Sequence, residues 1–141
     1  MSKKMKSILT HVAITSALDA AVQKADELGI KVCIAIVDDG GNLKGFIKMD
    51  GANLIPSQIA QDKAYTAAGF GLPTSDWYPK IKDKPALLHG IVHTDRMTIY
   101  GGGLPIYIEE DLVGGVGVSG GTGEQDIMCA EAALNILLND K

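Results

Sequence analysis

The stretch from Ile99 to Gly123, IYGGGLPIYIEEDLVGGVGVSGGTG, offers chemistry that needs no side chain. Glycine tolerates positive φ and lets other groups approach the main chain, so this density marks either tight strand reversals or a wall where a ligand meets bare backbone. Gly101, Gly102 and Gly103, followed by Leu104-Pro105, can present N–H groups as an anion-accepting concavity; a wide β-turn accounts for the same letters. Ser119-Gly120-Gly121-Thr122 precedes a helical pattern whose N-terminus attracts anions. Glu124 and Asp126 already occupy that first turn, and the lysine of a phosphate-binding loop is missing. A carboxylate or a carbonyl therefore suits the place better than a nucleotide.

Other reactive residues have simpler accounts. His89 and His93 would share a helix face as metal-binding pairs do, but no third ligand adjoins them and Pro85 and a strand bracket the segment, so no metal site is expected. There is no Gly-x-Ser-x-Gly and no legible set of nucleophile, base and orienting group. Cys33 and Cys129 each sit in an apolar run and read as small buried hydrophobes. Turn chemistry accounts for Asp38 and Asp39, whereas Asp50, in a loop, either caps backbone or orients a ligand.

The elements that must position these residues follow from periodicity. Ile8, Val12, Thr15, Leu18, Val22, Ala25 and Leu28 recur at helical spacing between Ser7 and Leu28, and Gly29 supplies the stop. Lys31 to Val37 is apolar at odd and even positions alike, which predicts a strand covered on both faces. Asp38-Asp39-Gly40-Gly41-Asn42 is hairpin-turn chemistry, with Leu43 to Met49 as the returning strand. Pro56-Ser57 opens a second helix to about Phe70, with Ser57 as its N-cap, and its Ala60, Ala64, Ala67, Ala68 and Gly69 allow close backbone packing. Gly71 to Thr94 is a polar excursion broken by prolines, suited to a lid or an oligomer contact. Arg96 to Tyr100, Leu104 to Glu109 and Leu112 to Ser119 then predict three strands in an antiparallel meander. Thr122-Gly-Glu-Gln125 is a capping box for a last helix to about Asn139, with Ile127, Ala130, Leu134 and Leu138 inward. The order α-β-β-α-β-β-β-α gives an α/β (α+β) fold, five mainly antiparallel strands between helical layers.

Bulk properties narrow the class. The 141 residues suit a single domain, 1–141, and 46% apolar with 21% charged residues is globular composition. Net charge is −4 and the basic residues cluster only at Lys3, Lys4 and Lys6, so nucleic acid is not an expected partner. Thr10, His11, Thr15 and Ser16 interrupt the N-terminal segment, and no run reaches 18 apolar residues. Neither a secretory leader nor a membrane span is expected, and the cytoplasm is the expected location.

The motifs VDDGGNL, the MDGA step, Ser57 followed by KAYTAAGFGLPT, GGGLPI and GGVGVSGG, in that order over nearly the whole chain, resemble the GlcG/HbpS-like haem-binding family, also called haem-degrading. That family includes the C-terminal domain of PduO-type corrinoid adenosyltransferases. The resemblance implies a profilin-like α/β/α sandwich, dimers or larger homo-oligomers, haem binding in some members, and a place beside catabolic operons. Lys48 stands where family members commonly carry arginine before Met-Asp-Gly-Ala, exchanging a planar, two-pronged cation for a point charge. The adenosyltransferase part of the PduO proteins lies outside this module, so cobalamin adenosylation is not expected.

The resemblance also directs attention to Lys63, within KAYTAAGF on the helix that flanks the glycine strands. Facing a cleft, its ammonium would neutralise a ligand carboxylate such as a haem propionate; facing water, it would be an ordinary helix lysine. A ligand site would then comprise Lys63, Gly101, Gly102, Gly103 and Pro105, with Ser57, Asp50 and Ser119 alongside. Some PduO-type domains use a first-helix histidine as an axial haem ligand, which makes His11 the residue to watch. Two functions follow: an oligomeric binder of haem or another carboxylate-bearing small molecule, or an enzyme acting on a small hydroxy- or oxo-acid, including haem degradation. In the enzyme, Lys63 would be electrophile or base and Asp50 its orienting group.

Overall fold

The computed structural model describes residues 2–139. Helix α1 (His11–Leu28) begins where the Thr10 hydroxyl accepts from the Ala13 N–H at 3.2 Å, and it ends at Gly29, whose φ of 70° closes the last turn. It starts later than Ser7 because the cap is Thr10. Its buried stripe is Ala13, Ile14, Ala17, Leu18, Ala21 and Ala25, leaving Ile8 and Val12 exposed. Leu18 and Ala25 of the expected stripe are buried, and Ala13, Ile14, Ala17 and Ala21 take the other inward positions, where the alanines let the helix axis come close.

Strands β1 (Cys33–Asp38) and β2 (Leu43–Lys48) form the expected hairpin. The Asp38 carboxylate accepts from the Gly40 and Asn42 amides and fixes the turn. Helix α2 (Ile55–Phe70) corrects the expectation for Ser57: the cap lies three residues earlier, at Leu54, with Pro56 in the first turn. Proline costs nothing there because that N–H would have no helical partner. Ser57 is thus inside the helix, its Oγ 3.5 Å from Cys33 Sγ. The excursion that follows holds a short 3₁₀ turn (Thr74–Asp76), α3 (Trp77–Ile81) and α4 (Pro85–Ile91), and α4 contributes no buried residue.

Strands β3 (Gly103–Ile108) and β4 (Asp111–Ser119) complete a four-stranded antiparallel sheet in the order β2-β1-β4-β3. The fifth strand expected at Arg96–Tyr100 does not form. Arg96 adopts φ 65°, and its carbonyl and the Thr98 N–H both bond to the Thr66 hydroxyl of α2, at 2.8 and 3.0 Å. That segment therefore docks along a helix instead of a strand edge. Helix α5 (Gly123–Asn139) has its capping box: Gln125 N–H donates to Thr122 Oγ1 at 3.2 Å, and Thr122 N–H to Gln125 Oε1 at 3.0 Å. Its buried face is Asp126, Cys129, Ala130, Ala133 and Leu137, while Leu138 is exposed, so the expected inward set is displaced by about one position.

Helices α1 and α5 pack together on one face of the sheet and α2 lies on the other. The glycines of β4 explain how closely α2 lies. A Cβ at Gly115 would strike the Ala64 carbonyl, and one at Gly117 the Ala60 carbonyl. Much of the glycine run thus accommodates a helix backbone rather than a ligand. Ile34, Ile36, Ile106, Val116 and Val118 fill the core around these contacts, and Cys33 and Cys129 are free and buried as expected. No described helix is long and apolar enough to cross a membrane.

Candidate functional site

Lys63 is the largest fully buried side chain, 1% exposed, and its position follows from α2 lying flat on β4. From there it runs past the end of the strand toward the first turn of α5, joining the helical layers on opposite faces of the sheet. Its ammonium donates to the Val118 carbonyl at 2.9 Å and to Asp126 Oδ2 at 3.2 Å. The ring centroid of Tyr100 lies 5.0 Å from Nζ, a cation–π distance. The other Asp126 oxygen accepts from the Gly121 N–H at 2.8 Å, so the carboxylate is satisfied on both sides.

Both members of this pair resist charging. Burial pushes the Lys63 ammonium below its ordinary value against the opposing attraction of Asp126. Burial likewise raises Asp126, with Lys63 and the Gly121 amide pulling the other way. Desolvation outweighs attraction at both ends, as is usual for an enclosed ion pair. Burial also raises Tyr100, followed by the charges of Asp126 and Asp62.

The glycine triplet does not act as one cradle. The Gly103 N–H donates to Thr74 Oγ1 at 2.9 Å and is occupied. The ladder that pairs Gly103 with Gly117 brings Gly102 opposite Val118, and the Val118 N–H donates to the Gly102 carbonyl at 2.9 Å. The reciprocal bond is missing: the Lys63 ammonium takes the Val118 carbonyl in place of the Gly102 N–H. Among the described residues the Gly101 and Gly102 amides have no acceptor. Gly102, at φ 130°, leaves room for Nζ, which would lie 2.7 Å from a Cβ there.

The remaining candidates spread out. Ser119 is buried opposite Cys33 in the β1–β4 ladder, with Ser57 beyond that thiol, so both serines share the Lys63 end of the sheet. Pro105 lies on the edge strand opposite Gly115, where its missing N–H does no harm. Asp50 lines a separate cavity of about 360 Å³ with Asp19, Asp26, Lys31 and Lys48; Asp126, not Asp50, is the carboxylate beside Lys63. His11 is exposed at the start of α1, next to residues that line a groove with Leu137 and Leu138. From Asp126 to Leu137 the rise of α5 is roughly 16 Å, so His11 and Lys63 lie at opposite ends of that helix. His89 closes α4 while His93 falls beyond it, which removes their shared helix face.

Sequence reasoning missed Asp126 and Tyr100. Asp126 counted only as a charge opposing an anion, and Tyr100 as the end of a strand. The available signal was that Asp126 follows the capping threonine by one helical turn, in reach of whatever meets the end of the sheet.

These features define a small mixed α/β fold with an enclosed lysine–carboxylate pair at the sheet end. The chain belongs to the HbpS-like family, described as haem-degrading, whose profile matches residues 9–135. It is 36% identical to an uncharacterised 15.0 kDa protein from the dhaT-dhaS intergenic region of Citrobacter freundii, over 96% of each chain. The crystal structure of Klebsiella pneumoniae protein ORFY superposes with a TM-score of 0.91 at 33% identity, over 100% of this chain and 99% of that one. A PduOC–haem complex superposes at 0.85 with 30% identity, over 92% and 95%.

Proposed function

We propose that this protein binds a carboxylate-bearing small molecule, haem or another tetrapyrrole foremost, at the sheet end around Lys63. The observation that carries this is the buried ammonium beside Gly102, with the Gly101 and Gly102 amides lacking an acceptor among the described residues. Backbone N–H groups and a cation are the donors that an acid group takes. The half-exposed Tyr100 ring covers the ammonium and offers an aromatic face to the body of the ligand. Family membership and the haem complex of a structural neighbour support haem as the first ligand to test. Exposed Ile8, Val12, Leu54 and Ile55 support a homo-oligomer, and the protein would serve as an accessory to a catabolic operon in the cytoplasm.

Titrating the purified protein with haemin tests this. Saturable binding with a shifted Soret band is expected, and Lys63→Ala should weaken it about tenfold or more, the worth of one charge-assisted hydrogen bond. His11→Ala should alter the spectrum only if His11 is the axial ligand. A titration that never saturates and leaves the Soret band unmoved would exclude haem.

A further inference from the structure

Ahead of α1, residues 4–9 form a segment without regular structure that is pinned along its length to the ends of the strands. Lys4 pairs with Asp111 at 2.9 Å, and Lys6 pairs with Asp39 and donates to the Leu112 carbonyl at 3.4 Å. Leu9 is buried against Gly114, where a Cβ would lie 2.8 Å from Leu9 Cδ1. Between the Lys6 and Leu9 anchors stands Ile8, 79% exposed. The anchors set its direction, because Leu9 turns into the core and Ile8 faces out.

Beside Ile8 runs a groove of about 330 Å³ that it lines together with Leu9, Ala13, Ile108, Leu137 and Leu138. Ser7 and Ile108 also line a second cavity, of about 290 Å³, which reaches Met5, Glu109 and Asp111. Met5, Leu138 and Val12 in the first turn of α1 are exposed as well. Apolar side chains held in water around a groove mark a contact face.

We propose that two copies of this chain meet on this face about a two-fold axis, with Ile8 of each copy seated in the groove of the other against Leu138. This rests on the homo-oligomer reading and names its contact. A two-fold interface presents one surface twice, so that surface must carry both halves of every pairing. Here a projecting Ile8 adjoins an apolar groove, and the basic residues Lys3, Lys4 and Lys6 adjoin the acidic turn Glu109-Glu110-Asp111. Lys3 and Glu110 have no ion-pair partner among the described residues, which leaves both charges for the other copy. A side chain already pinned in place loses little freedom on docking, the condition under which one buried anchor contributes much of the affinity. Leu54 and Ile55, also exposed, line neither cavity.

Sedimentation equilibrium of the full chain at concentrations up to about 100 µM tests this. Wild-type protein should self-associate, and Ile8→Asp, which would bring a carboxylate into the partner's apolar groove, should weaken association at least about tenfold. Leu138→Asp on the groove wall should act alike, and Leu54→Asp should change the association constant by less than about twofold. Circular dichroism of each variant should match the wild type, since all three positions are exposed. Glu110→Lys should weaken association, and adding Lys3→Glu should restore it. Dissociation by Leu54→Asp with Ile8→Asp and Leu138→Asp still associated overturns this contact and leaves the homo-oligomer standing. A wild-type protein that stays monomeric throughout overturns both.

Discussion

Replacing Asp126 by asparagine isolates the charge at the sheet end, because the side-chain shape is kept and its Oδ1 can still accept from Gly121. The variant leaves Lys63 with a backbone carbonyl and an aromatic face but no counter-charge. Side-chain exposures of 1% for Lys63 and 4% for Asp126 place the pair in the buried regime, where removing one partner costs about 3–5 kcal/mol. Lys63 can relieve part of this by releasing a proton that burial already loosens, so the lower figure, about 3 kcal/mol, is expected. For a chain of this length that corresponds to a melting temperature lower by roughly 10 °C. The double variant Lys63→Met/Asp126→Asn should recover most of the loss, since a neutral pair has no charge to desolvate. Urea unfolding at constant m-value measures all three proteins. A loss below about 1 kcal/mol for Asp126→Asn would refute the enclosed-pair description. The pH dependence carries an independent sign. With Asp126 raised, the folded protein holds more protons there than the unfolded chain, so stability falls as pH climbs from 3.8 through the raised value. With Lys63 lowered, the unfolded chain holds more, so stability rises from the lowered value towards 10.5, and the double variant should lose both slopes.

Three further outcomes follow from the packing. Gly117→Ala would drive a Cβ into the Ala60 carbonyl, so it should destabilise by about 1–3 kcal/mol or more in thermal melts, because backbone has to move. Thr122→Ala removes one half of the capping box and should cost about 1 kcal/mol, read as a lower urea midpoint. Burial pushes the Cys129 thiol up to about 11, with the Asp126 charge adding to it; native protein at neutral pH should show negligible reaction of Cys129 with a thiol reagent, and denaturant should release it.

Much of the scaffold was legible because its signals are local. The Asp38-to-Asn42 turn and the Thr122–Gln125 box each bond within five residues, and β1 announced its double cover by being apolar from Cys33 to Val37. The errors came where distant partners decided the outcome. Arg96 to Tyr100 reads as a strand by composition, yet the Thr66 hydroxyl on α2 claims its backbone groups, and no local pattern reveals that. On α1 and α5 the spacing was helical, but the buried face is rotated from the expected one and takes in alanines such as Ala17, Ala21 and Ala133 that the larger apolar letters concealed. At the site, Lys63 was visible as a lysine on a helix of small residues, while its enclosure and its partner depend on a contact across 63 positions. The glycine run announced close approach, and the structure divides it between a helix backbone lying on β4 and the Lys63 ammonium against Gly102.

The same long-distance contact bears on how the chain folds. Lys63 and Asp126 belong to helices on opposite faces of the sheet, so their bridge is expected to form late and to be absent from the rate-limiting barrier. Breaking it should therefore leave refolding nearly unchanged and accelerate unfolding, making the pair a latch on the lifetime of the folded state.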